Sequence, residues 1–206
     1  MTRTAGIASA MRLEALSIAW MLVESVVGIG AGVVAGSVLL GAFGADSVIE
    51  LISAVVLWRR LRVEAKGVAD PDALEALERK AARIAGGLLY ALAVYVVLAA
   101  AAGLVGRRPA EFSWPGVAVT AVAAIGMPLL ARAKLRVAAA IGSAALRADA
   151  MESLTCGYLS WVVLTGLAAN GLLHAWWVDS VASLVIVPLL VKEAREAMTG
   201  ECACHE

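Results

Sequence analysis

The chain has 206 residues, of which 62% are hydrophobic, and its 17 basic residues balance its 17 acidic ones. So high an apolar share, in continuous rather than alternating runs, predicts an all-α integral membrane protein and argues against a water-soluble domain or a β-barrel. A formal net charge of zero removes the bulk electrostatic argument for binding nucleic acid.

The first two predicted membrane spans cover about residues 13–34 and 38–58, and a tight turn at residues 35–37 joins them. A row of small residues, four apart, lies on one face of span 1: Gly28, Gly32 and Gly36. Such a row lets another helix approach closely, and it suggests a homodimer.

Span 2 carries two carboxylates, Asp46 and Glu50, in a stretch that otherwise resembles membrane helix. Positions i and i+4 share one face of a helix. An ionisable residue deep in a bilayer is costly and indicates a functional site by default. Two like charges at this spacing would repel each other unless a cation bound between them, which is the interpretation we favour. The alternative is a structural pair that hydrogen-bonds to neighbouring helices.

Span 3 covers about residues 84–105 and follows an amphipathic segment that starts at Asp70-Pro71, a good N-cap and first helical residue. Span 4 covers about residues 114–130, and Pro128 is expected to bend its end. The basic residues between 132 and 147 are expected to mark a cytoplasmic boundary.

Span 5 is expected to run from about 138 to 173, longer than a membrane requires. Asp149, Glu152 and Cys156 have the spacing i, i+3, i+7, which is one stripe of a helix. Glu152 and Cys156 repeat the i, i+4 spacing found in span 2. Asp149 is expected to lie behind the ligands or at the cytoplasmic mouth of the site.

The two pairs come from oppositely directed helices and reach a similar depth. Asp46 lies roughly 12 Å from one membrane face and Glu152 roughly 21 Å from the other, in a core about 30 Å thick. Carboxylates with a thiolate suit a divalent metal such as zinc, and the sulfur argues against magnesium or calcium. The alternative for Cys156 is a small buried hydrophobic residue.

Three further features complete the set of candidates. Glu24, near the middle of span 1, is expected to hydrogen-bond or line the path rather than ligate the ion directly. Span 6 covers about residues 178–191, with Asp179 expected to cap it. The tail ends in thiol and imidazole groups that suit transient metal capture, unless it is simply a disordered terminus: Cys202, Cys204 and His205.

Six spans place both termini on one side of the membrane. The basic residues predict that this side is the cytoplasm, since only Arg107 and Arg108 fall on the opposite side of the membrane. The membrane is expected to be the cell (inner) membrane. We therefore expect a six-helix transmembrane domain over residues 1–198 and a short cytoplasmic tail over 199–206, with no soluble domain.

The residues quoted so far resemble the cation diffusion facilitator family of metal transporters. The matching segments are Ala35-Gly36-Ser37, Ala45 to Glu50, Arg147 to Cys156, Trp176 to Asp179 and Val191 to Glu193. The resemblance implies that the family's four ligand positions fall on Asp46, Glu50, Glu152 and Cys156. The chain departs from the family in having no intramembrane histidine and in having cysteine at the last ligand position.

The resemblance implies a secondary transporter rather than an enzyme, with no prosthetic group. Its cargo would be a divalent cation, zinc or a similar ion such as cobalt or cadmium, exported in exchange for protons. Two alternatives remain open: a membrane metal sensor or assembly partner that does not transport, and a divalent-cation channel whose flux is independent of pH.

Overall fold

The computed structural model describes residues 3–65, 71–107, 109–173 and 175–199. These residues form six α-helices and, within the same ranges, no strand, so the prediction of an all-α protein is confirmed. The helices are α1 (Arg3–Ala35), α2 (Val38–Ala65), α3 (Pro71–Gly106), α4 (Trp114–Ile141), α5 (Ala144–Leu173) and α6 (Val178–Thr199).

Five of the helices, α1 to α5, are long and apolar enough to cross a membrane. The sixth falls short by composition because charged residues occupy its second half. It nevertheless lies alongside α3, since Gly103 of α3 faces Ser180 and Gly86 faces Ala194 and Met198. α6 therefore runs antiparallel to α3 through the depth that α3 spans.

Two boundaries differ from the sequence prediction. α4 does not end near Leu130 but continues through Pro128 to Ile141, and Gly142 ends it with a left-handed φ of 68°. α5 begins at Ala144, so the expected start of span 5 near residue 138 is wrong. Arg132, Lys134 and Arg136 consequently belong to the last turns of α4, and Arg147 lies in the first turn of α5. The cap predicted at Asp70 lies outside the described residues.

The described parts of three connections lie at one end of the bundle, which we call the turn end: 36–37, 107 with 109–113, and 175–177. The backbone N–H of Glu111 donates to the carbonyl of Ala35 at 2.8 Å, and the Asn170 amide donates to the carbonyl of Ala110 at 2.9 Å. The predicted turn after span 1 is present, with Gly36 at φ 62°.

The Asp179 carboxylate belongs to this end and corrects the sequence prediction. It accepts hydrogen bonds from the Ser37 hydroxyl and, at 2.8 Å, from the backbone N–H of Val38. Asp179 therefore caps the N-terminus of α2 rather than that of its own helix, because the turn between α1 and α2 lies against the start of α6.

The other end, which we call the terminal end, holds the N-terminus of α1 and the C-terminus of α6. A small apolar cluster from four helices closes it: Ala10 of α1, Leu57 and Leu61 of α2, Ala138 of α4 and Leu146 of α5. A larger apolar core fills the bundle elsewhere and includes α3 and α6. Within this frame α2 packs against α1, α3, α5 and α6, so its side chains can meet residues from every part of the bundle.

Candidate metal site

The two carboxylates of α2 are buried in the bundle. Asp46 is 1% exposed and Glu50 is 7% exposed. Oδ1 of Asp46 and both carboxyl oxygens of Glu50 have no hydrogen-bond partner among the described residues. A buried polar atom without a partner carries the full cost of its desolvation. The apolar core around these oxygens therefore leaves their hydrogen-bonding capacity unmet.

A third carboxylate reaches the same place from α1. Glu24 is 0% exposed, and neither of its carboxyl oxygens makes a hydrogen bond of ordinary geometry in the described part of the chain, although the Trp20 indole lies beside the carboxyl group. It lies beside Ser47 and interacts electrostatically with Asp46.

The glycines of the α1–α2 hairpin explain this closeness. A Cβ at Gly28 would lie 2.8 Å from the Cα of Gly44, and one at Gly32 would lie 2.6 Å from the backbone nitrogen of Gly41. Only helices without side chains at the crossing can approach so closely. Because Gly28 is one turn from Glu24 and Gly44 is two residues before Asp46, the crossing brings the two carboxylates together. Gly28 and Gly32 are thus covered by α2 of the same chain, and Gly36 lies in the turn, so the glycine row does not argue for a dimer.

α5 contributes Glu152 and Cys156 from the opposite side of α2. The Cys156 thiol is free, 1% exposed, and adjoins the Glu50 carboxyl. Glu152 is partly exposed and interacts electrostatically with Asp46 and with Glu50. The four side chains that the sequence selected therefore lie in the same region of the bundle, and their role as metal ligands stays a prediction.

A sixth side chain at this site is Glu193 of α6, which lies in a segment that resembles the family but was not predicted to be a ligand. It is partly exposed and interacts electrostatically with Asp46, Glu50 and Glu152. Its neighbour Lys192 pairs instead with Glu196 on the outside of the helix, at 3.7 Å. The alternation of charge along this segment suggests a helix leaving the membrane. The position of Glu193 around the helix axis is the one signal in the sequence that could have identified it as facing the site.

Asp149 is held elsewhere. The Lys134 ammonium donates a hydrogen bond to Oδ2 of Asp149 at 2.5 Å and to the Ser153 hydroxyl at 3.3 Å, and it lies 3.2 Å from Oε2 of Glu14. Lys134 and Glu14 are both 0% exposed. We call these four residues the lysine cluster. It links α1, α4 and α5, and neither Lys134 nor Glu14 was recognised from the sequence.

The carboxylates and the thiol lie near one another, but they do not converge on a single metal position in this structure. Among the residues that the structure describes, no three acidic, cysteine or histidine side chains are placed so that they could hold a metal ion together. The predicted ligands of the tail (Cys202, Cys204 and His205) lie outside the described residues.

A comparison with protein families places most of the chain in one of them. Residues 15–198 match the family described as the cation efflux transmembrane domain, a range that includes Glu24 and Glu193 as well as the four predicted ligands. No curated protein matches the chain.

Proposed function

The chain belongs to the cation efflux family of divalent-cation transporters, and we propose that it exports zinc or a similar ion, such as cobalt or cadmium, from the cytoplasm in exchange for protons. Family membership supports the general activity. The choice of ion, the direction and the counter-ion are inferred from the chemistry of the buried side chains.

One observation carries the proposal: five buried carboxyl oxygens, from Glu24, Asp46 and Glu50, make no hydrogen bond of ordinary geometry to the described residues. Each buried polar group without a partner costs about 1–3 kcal/mol, and more when it is charged. A cluster of such groups on the neighbouring helices α1 and α2 lowers the stability of the fold, so a purely structural role does not account for it. A divalent cation would satisfy several of these oxygens at once.

Proton exchange follows from the same cluster. Carboxylates this close together in a membrane interior cannot all remain charged without a cation, so some hold protons when the metal is absent. Metal binding requires deprotonated ligands and therefore releases those protons. If the site opens to the two sides of the membrane in turn, protons return as the metal leaves.

The donor set supports zinc-like cargo. Zinc accepts carboxylate oxygen and thiolate sulfur in tetrahedral sites, and the Cys156 thiol beside Glu50 offers the sulfur. Binding would require rotation of these side chains towards one point. Glu152 and Glu193 are the partly exposed members of the group. We therefore place the route to the cytoplasm beside them, since apolar side chains close the terminal end between α1, α2, α4 and α5.

The topology belongs to the proposal as well. We propose that the terminal end faces the cytoplasm, with residues 1–198 as the transmembrane domain and 199–206 as a tail that captures metal. The family resemblance is the remaining argument for a homodimer, because α2 of the same chain covers Gly28 and Gly32, the two glycines of the row that lie within α1 away from the turn.

The test is zinc uptake into proteoliposomes by the Glu50→Gln variant, with Glu111→Gln as the matched control. Glu111 is exposed in the connection between α3 and α4, so the same chemical change there leaves the site intact. We expect Glu50→Gln to abolish flux and Glu111→Gln to keep it; retained flux in Glu50→Gln would overturn the assignment. Zinc binding without flux in the unmodified chain would favour the sensor, and flux independent of pH would favour the channel.

A further inference from the structure

The lysine cluster has the composition of a cation site. Glu14 and Asp149 provide carboxylate oxygens and Ser153 provides a hydroxyl, and the Lys134 ammonium lies among them at 3.2, 2.5 and 3.3 Å. All four residues are buried. A second observation concerns the free oxygen of Glu14: Oε1 is buried and makes no hydrogen bond of ordinary geometry to any described residue, although the Asp149 carboxyl lies beside it.

The charges of the cluster do not balance when all its groups are ionised. One ammonium faces two carboxyl groups, so the cluster is neutral when one of them holds a proton and carries one negative charge when both are ionised. Burying a charge is tolerated only when a partner compensates it. Here the partner is a side chain of the protein, carried by the last turns of α4.

The position of the cluster gives this arrangement a consequence for transport. Asp149 lies one turn before Glu152 on α5, and Ser153 directly follows Glu152. The stripe Asp149, Glu152, Cys156 would present cargo with a continuous row of ligands. Lys134 occupies the start of that row, nearest the terminal end, because it donates to Asp149. Glu152, one turn further along, interacts with Asp149 and Lys134 as well as with Asp46 and Glu50 of α2.

We propose that Glu14, Asp149 and Ser153 form a second cation site whose resident cation is the Lys134 ammonium. The tethered ammonium withholds Asp149 from the cargo and keeps the cargo at the site around Asp46. A site of carboxylate and hydroxyl oxygens, with no sulfur or nitrogen, suits a hard divalent ion such as manganese once the ammonium is removed.

The experiment counts Mn²⁺ bound to the full-length chain in detergent, by equilibrium dialysis and electron paramagnetic resonance. We expect Lys134→Met to bind one more Mn²⁺ per chain than the unmodified protein, and Lys134→Met/Asp149→Asn to lose that extra ion. The difference between variants is measured, so the result does not depend on how many ions the unmodified chain binds. A folded Lys134→Met protein that binds no additional Mn²⁺ would overturn the proposal.

The folding of the Lys134 variants, with and without Mn²⁺, provides a second measurement. Lys134→Gln keeps a hydrogen-bond donor at the same position without the charge, and it is expected to gain the same ion. If both variants unfold without metal, the proposal requires millimolar Mn²⁺ to restore their folding, as judged by gel filtration and thermal unfolding. Failure of Mn²⁺ to do so overturns it, because an occupied cation site must stabilise the folded state.

Discussion

Replacing Gly44 with alanine tests whether the crossing of α1 and α2 positions the metal site. The added Cβ would lie 2.5 Å from the backbone nitrogen of Ile29 and 2.8 Å from the carbonyl carbon of Gly28. Both contacts are with backbone atoms, so no change of rotamer can relieve them. The two helices must separate by about 1 Å before these atoms reach ordinary van der Waals distance.

Gly41 supplies the control for this change. It lies on the same helix, one turn earlier, and a Cβ there would meet no atom within 4 Å. Both substitutions gain the helix propensity of alanine, about 1 kcal/mol. Only Gly44→Ala also overpacks the crossing, at a cost of about 1–3 kcal/mol, so the free energies of unfolding should differ by about that amount.

Transport should separate the two variants in the same way. Because Gly44 is two residues before Asp46, a displaced crossing moves Asp46 away from Glu24, and zinc uptake should fall in Gly44→Ala but not in Gly41→Ala. Thermal unfolding in detergent and zinc uptake in proteoliposomes measure the two effects. Equal stability and equal uptake would refute the idea that the close crossing builds the site.

Three further changes have distinct expected results. Asp179→Ala should lower the free energy of unfolding by about 1–3 kcal/mol through loss of the α2 cap, while zinc affinity in a binding titration stays unchanged; an unchanged stability would contradict the capping role. Cys156→Ser should weaken zinc and cadmium binding more than manganese binding, because the soft sulfur is lost; an equal effect on all three ions would remove Cys156 from the ligand set. Lys134→Met should destabilise the chain by about 3–5 kcal/mol, and adding Glu14→Gln and Asp149→Asn should recover most of that loss in chemical denaturation; no recovery would show that the charges are not the cause.

The local patterns of the sequence selected side chains that lie near one another in the fold, and their role as a metal site stays a prediction. The i, i+4 spacing of Asp46 and Glu50 within an apolar run, and the same spacing of Glu152 and Cys156, identified side chains that the fold brings together. This succeeded because helical phase and depth can both be counted along the chain. The glycines near Glu24 indicated a close helix contact but not which helix makes it.

What could not be predicted depends on partners distant in the chain. Lys134 follows an apolar stretch, where a basic residue ordinarily extends to the membrane interface. Its burial is evident only when Glu14 of α1 and Asp149 of α5 are placed around it. Asp179 was assigned to its own helix for the same reason, because the turn that it caps lies at the other end of the sequence.

The central claim is that the buried carboxylates exchange a divalent cation for protons. The most direct test records zinc uptake and internal pH in the same proteoliposomes, for the unmodified chain and for the Asp46→Asn/Glu50→Gln variant. We expect zinc movement and proton movement to occur together in the unmodified chain and both to be lost in the variant. Zinc movement that persists in the variant, or that proceeds in the unmodified chain without any change in internal pH, would contradict it.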